Sequence, residues 1–86
     1  MILHTVTVKP LENYRLYLTF NNRLSEEVDL TDELWGDVFS PLKDEVLFQT
    51  AHQDDVMQTV AWDNGADFAP EFLMELLLNQ QQQQAA

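Results

Sequence analysis

"YRLYLTFNNRLSEEVDL", residues 14–30, is the stretch on which the fold turns. Tyr14, Leu16, Leu18 and Phe20 alternate with Arg15, Tyr17 and Thr19, the period of a strand with one buried face. Leu24, Val28 and Leu30 repeat that period on the return, and Glu26 interrupts it, so Glu26 is expected near an open sheet edge. A two-residue loop at Asn21-Asn22 would set Phe20 against Arg23 and every apolar side chain against a polar one. A three-residue loop instead pairs Phe20 with Leu24, Leu16 with Val28 and Tyr14 with Leu30. Such loops join a type I turn to a left-handed residue. That residue would be Arg23, at a cost of about 1 kcal/mol relative to glycine.

Outward from the hairpin, residues 4–9, "HTVTVK", read as a strand with Val6 and Val8 on one face, ended by Pro10. Thr31 can cap a short helical turn through Trp35, and Gly36 suits its end. Ser40-Pro41 opens a second short helix over 41–45. Residues 46–52, "VLFQTAH", read as a strand, with a turn at 53–56 and a return over 57–62. The last helix starts near Asp67 or Pro70 and runs to about Leu78. These elements predict an α+β domain. A small curved antiparallel sheet of about five strands, built from N-terminal hairpins, carries one or two short helices and a packed C-terminal helix. Residues 1–78 form that one domain, and 79–86 are a Gln-rich flexible tail or frayed helix extension.

Charge is the unusual bulk property. Four Lys and Arg face fifteen Asp and Glu, for a net charge of −11. Lys9, Arg15, Arg23 and Lys43 all lie in the first half, and residues 44–86 hold eight acids and no Lys or Arg. Such a surface repels nucleic acid and anionic membranes and attracts a basic protein. With no cysteine there is no disulfide, thiolate metal site or cysteine nucleophile. Neither a signal peptide nor a membrane-spanning run is legible, so a cytoplasmic location is expected.

Chemistry concentrates in "WDNGADFAPEF", residues 62–72. Asp63 and Asp67 could pair for acid–base work. The structural alternative is a corner: Trp62 ends a strand in the core, Asn64-Gly65 turns, Asp67 caps the helix, and Pro70 and Glu71 begin it. A calcium loop centred on Gly65 fails, because Val60 and Trp62 would occupy ligand positions. His4 and His52 lack partners at metal-ligand spacing, although Asp54 and Asp55 stand beside His52. Trp35, like Trp62, reads as a core anchor. The final helix is apolar over about 240° of its circumference, against the ~100° a surface helix needs. Phe72, Leu73, Leu76 and Leu77 face the core, and the outer flank of Met74, Leu77 and Leu78 is the candidate interface.

The order Val8, Pro10-Leu11, Tyr14, Leu16, Leu18, Phe20, then Val28-Asp29-Leu30, "FSPLKD", Phe48, and finally Val60, Trp62, "NGAD" and Pro70-Glu71 resembles the family catalogued as domain of unknown function 2442. The resemblance spans residues 6–77, and its most specific part is Trp62, Asn64, Gly65, Ala66, Asp67, Pro70 and Glu71. It departs at Arg23, where a turn glycine is usual. It implies a small α+β fold and, through the family's gene neighbours, an antitoxin-like member of a toxin–antitoxin-like pair. Some relatives add a helix-turn-helix, for which the residues after Leu78 leave no room.

The expectation is therefore a non-catalytic protein-interaction module with no cofactor and no metal. Its partner would be a small basic neighbouring gene product or a second copy, with no direct nucleic-acid binding and no membrane. The rival readings are a small enzyme or ligand-binding domain using Asp63 and Asp67, and an acidic mimic of nucleic acid.

Overall fold

The computed structural model describes residues 2–84. In it the alternating stretch folds in the register that burial demands. Strands β1 (Thr5–Pro10), β2 (Arg15–Phe20) and β3 (Ser25–Asp29) form an antiparallel sheet in that order. Leu16 pairs with Val28, and the Phe20 amide donates to the Leu24 carbonyl at 2.8 Å, so Asn21-Asn22-Arg23 is the three-residue loop. Arg23 has φ 74°, the left-handed conformation the loop requires. Leu16, Leu18, Phe20, Val28 and Leu30 are buried on the inner face.

Strands β4 (His52–Asp54) and β5 (Thr59–Ala61) make a second antiparallel ladder, so the five strands fall into sheets of three and two. The Thr5 amide joins them by donating to the Gln58 carbonyl at 3.2 Å, and Gln53 Nε2 donates to the Thr5 carbonyl at 2.7 Å. Short helical turns fill the crossover between the sheets: α1 (Gly36–Phe39), a 3-10 turn (Ser40–Lys43) and α2 (Glu45–Phe48). Helix α3 (Pro70–Gln84) closes the core. The class is α+β, as the sequence predicts.

Four local readings change. Val6 is the extra residue of a β-bulge, because Thr5 and Thr7 pair with the consecutive residues Phe20 and Thr19. The bulge turns Thr5 inward and leaves Val6 51% exposed, so Val6 and Val8 do not share a buried face. Residues 45–48 are helical rather than extended, because the Asp44 side chain accepts from the Val46 amide at 2.9 Å and caps the turn. Asp29, not Thr31, holds the turn after β3, its Oδ1 accepting from the Thr31 amide at 2.9 Å and the Thr31 hydroxyl at 2.6 Å. Trp35 is 70% exposed, and its neighbour Leu34 takes the core position.

Of the two readings of the glutamine run, tail or helix extension, the described residues take the second, since α3 continues through the run to Gln84. Glutamine is a good helix former. Gln80 also gains a tertiary role: its Oε1 accepts from the Asp29 amide at 2.9 Å and its Nε2 donates to the Asp29 carbonyl at 2.7 Å. Both main-chain groups of an edge-strand residue are thus met by one side-chain amide, as a neighbouring strand would meet them. Gln81 Nε2 donates to Glu26 Oε2 at 3.2 Å, which explains the tolerated acid at position 26. Ala85 and Ala86 of the expected tail lie outside the described residues.

Gln80→Ala is expected to lower stability by about 1 kcal/mol, the net worth of one to two exposed hydrogen bonds. Gln80→Glu is expected to cost more, because it sets a carboxylate against the Asp29 carbonyl. Urea midpoints of the two variants check the order.

Candidate interaction groove

The corner at 62–72 is built from main-chain geometry. Trp62 is buried, and its indole Nε1–H donates to the Phe48 carbonyl at 3.0 Å. Its main chain closes the turn: Gly65 N donates to Trp62 O, and Trp62 N to Ala66 O, each at 2.9 Å. Gly65 has φ 87°, where a side chain would be strained. Asn64 holds both sides, its Oδ1 accepting from the Ala66 amide at 3.1 Å and its Nδ2 donating to the Val38 carbonyl of α1 at 3.3 Å.

Asp67 does not cap α3. Its main chain forms an isolated bridge with Ala61, and among the described residues no helix amide donates to its carboxylate. The helix begins at Pro70 with the acidic Glu71 in its first turn, and the Leu73 amide donates to the Ala69 carbonyl at 3.1 Å. Asp67 sits three residues before Pro70, pulled into strand-like pairing by β5, and the cap position passes to the main chain of Ala69.

Beyond the corner, Phe68 and Phe72 form one wall of an apolar groove of about 400 Å3. Phe39 continues that wall, Trp35 and Val38 line the groove with it, and the acidic residues Glu33 and Asp37 stand at its rim. Phe68 stacks nearly parallel on Phe39, with centroids 4.3 Å apart and planes 7° apart, and on Phe72 at 5.1 Å and 17°. Gly36, at φ 86°, provides the bend that leaves Trp35 outside the core. Val38 is 53% exposed beside it.

The candidate interface on α3 moves accordingly. Leu77 is completely buried and belongs to the core, and Met74 is half-buried against it. Leu78, 45% exposed, keeps an outward position. The broad apolar arc is used up inside the domain, because Phe72, Leu73, Met74, Leu76 and Leu77 all pack against the core. The exposed apolar surface gathers instead around α1. Trp35 stands there rather than in the core, where its sequence reading as an anchor placed it. Its signal was Leu34, Trp35, Val38 and Phe39 packed into six residues, more apolar bulk than a core this thin can enclose.

The expected carboxylate pair stands outside the groove. Asp63 is largely exposed, with its Oδ1 4.0 Å from His52 Nδ1. His52 Nδ1 lies closer to the Thr50 carbonyl, at 2.8 Å. Neither Asp63 nor Asp67 lines the groove or a cleft of about 640 Å3 between the 11–14 turn and α2. Among the described residues no three His, Asp or Glu side chains converge as a metal site, and no helix is long and apolar enough to cross a membrane. Asp54 is the one group held below its ordinary pKa of 3.8 among the described residues. The Met57 amide, then the Val56 amide, donate to it across the β4–β5 turn, and His52 adds a weaker attraction.

The model of a family described as "Protein of unknown function (DUF2442)" matches residues 5–77. No curated protein matches the chain. A solved structure described as "Putative DNA Binding Protein NE0471", from Nitrosomonas europaea, is similar with a TM-score of 0.81 at 24% identity. The likeness covers 94% of this chain and 52% of that one, so this chain spans about half its length. At that identity the likeness is one of fold. It nonetheless overturns one expectation, that of no direct nucleic-acid binding. Charge alone does not suffice to exclude nucleic acid when the same fold forms part of a protein so described.

Two outcomes follow from the corner and the second hairpin. Asn64→Ala is expected to destabilise by roughly 1 kcal/mol, since it loses bonds to two segments, whereas Asp67→Ala stays within about 0.5 kcal/mol. Thermal denaturation ranks the pair. Asp54→Ala is expected to lower Tm at neutral pH. Because the folded pKa is depressed, the carboxylate stabilises above the ordinary value of 3.8, and that contribution is lost as pH falls through the lower folded value. The Tm gap between wild type and variant should therefore narrow below pH 3.8.

Proposed function

This chain belongs to the family described as Protein of unknown function (DUF2442), and we propose that its domain is a non-catalytic interaction module that docks a basic protein partner in the groove at Trp35. One observation carries the reading: an uncovered indole, 70% exposed, lies over an apolar cavity edged by Glu33 and Asp37. Exposed apolar surface that is contiguous and ringed by polar groups is the usual mark of a binding site. Tryptophan and tyrosine dominate the energetics of such interfaces, because they bring large rigid area at low entropic cost. The charge of −11 favours a partner of opposite sign and speeds encounter with it. A small basic protein, such as the neighbour implied for an antitoxin-like member, meets that description. The non-catalytic part of the reading is supported by Asp63, Asp67 and His52 standing outside the lining of the groove.

A second reading, direct contact with DNA, is favoured by the description of the similar Nitrosomonas europaea protein. A mobility shift of duplex DNA by the purified chain at low salt supports it, and its absence removes it.

The docking reading is tested by immobilising the wild-type chain and Trp35→Ala and passing an extract of the source cell over both. The expected result is one basic protein retained in stoichiometric amount by the wild type and lost from Trp35→Ala, with Tm unchanged within a few degrees. Elution at about 1 M salt, where the Debye length is about 3 Å, checks the electrostatic part. Equal retention by both chains overturns the reading.

A further inference from the structure

The groove has a chemical preference beyond being apolar. Four of its eight lining residues are aromatic, with Phe39, Phe68 and Phe72 stacked and Trp35 uncovered. Its rim carries Glu33 and Asp37, two residues either side of Trp35 in the chain. The ion pairs among the described residues are Arg15 with Glu27 and His52 with Asp63, so neither rim carboxylate is neutralised by them. None of Lys9, Arg15, Arg23 and Lys43 lines the groove; Arg15 is engaged by Glu27 and by the Glu12 carbonyl, and Arg23 sits in the hairpin loop.

We propose that the groove selects an arginine, presented next to an apolar side chain on an exposed segment of the partner protein. This rests on the docking reading above and names the side chain recognised. An arginine stem is apolar and lies along aromatic surface while its head stays polar. The guanidinium is planar, weakly hydrated and well suited to stacking on an indole face. Its forked donors can reach a carboxylate in the same pose, which a lysine ammonium does as a point charge. The adjacent apolar side chain fills the space between Val38 and the phenylalanines, a volume of the size that takes one or two side chains. A segment with apolar residues and no cation leaves the two rim carboxylates uncompensated. A segment with cations and no apolar residue leaves the aromatic walls wet.

The test uses the whole chain and two capped tetrapeptides, Ala-Leu-Arg-Ala and the same peptide with citrulline for arginine. Citrulline keeps the shape of arginine and removes its charge. Binding is read by fluorescence of the exposed Trp35, with buried Trp62 as an internal reference, and by backbone amide shifts mapped to the groove. The arginine peptide is expected to bind about tenfold more tightly than the citrulline peptide, the combined worth of one cation–π contact and one charge-assisted hydrogen bond. Glu33→Gln with Asp37→Asn is expected to shrink that preference to the part due to the cation–π contact, about two- to fivefold, while the folded amide spectrum persists. Equal affinities on the wild-type chain, or no groove shift with either peptide, overturn the arginine inference. If Trp35→Ala still abolishes capture of the protein partner in that case, docking stands and its arginine selectivity falls. If capture is indifferent to Trp35→Ala, docking itself falls.

Discussion

The hydrogen bond from the Trp62 indole to the Phe48 carbonyl, 3.0 Å long and buried, is the constraint around which the rest arranges itself. Each group would otherwise be buried without a partner, at a cost of about 1–3 kcal/mol. Met, the bond ties β5 to α2 and fixes the plane of the indole. From that plane the aromatic side chains run outward in both directions. Phe48 lies 5.8 Å away and meets Tyr14 edge-on at 5.5 Å. Phe68 meets the indole edge-on at 5.9 Å and carries the Phe39 and Phe72 stack. A chain of 86 residues encloses little interior, and six linked rings supply much of the area that holds two small sheets and a helix together.

The first hairpin was legible because two independent constraints coincide there. The period of two sets which side chains face inward, and the loop length sets which of them pair. Slipping Leu16 off Val28 by one residue would invert a whole face, so a single answer survives. Legibility fails where the deciding contact is one side chain on one amide. Residues 46–48 are as apolar as a strand, and the Asp44 cap makes them a turn of helix. Val6 fits the alternation, but the two-against-one pairing of the bulge is visible only in the partner strand. The corner at 62–72 leads from β5 to α3, but Asp67 does not take the capping task that its place before Pro70 suggests. Pairing with Ala61 across the corner depends on where β5 lies, which no local pattern encodes.

The end of α3 shows the same limit from the other side. A run of glutamines carries no hydrophobic period, so its composition reads as solvated chain. In the fold, position 80 comes beside the outer edge of β3. There an amide side chain offers one donor and one acceptor with the spacing of a peptide unit, and Asp29 presents the complementary pair. The exposed edge of a three-stranded sheet is a template for unwanted pairing. A glutamine on a helix covers it without adding a strand.

The groove and the charge belong to one argument. A tryptophan left 70% exposed on a small domain invites association with whatever surface is complementary, including that of another copy. Two copies of this chain each carry −11, and their acidic rims would meet face to face in any symmetric contact through the groove. Like charges brought together in a desolvated interface cost several kcal/mol. The same rim draws in a cationic segment. Discrimination between partners is a difference of two free energies, and Glu33 and Asp37 enter both with opposite sign. The corner that first suggested chemistry therefore contributes to function through Phe68, Phe72 and the Asn64 clamp on α1, which hold an aromatic seat open beside carboxylates.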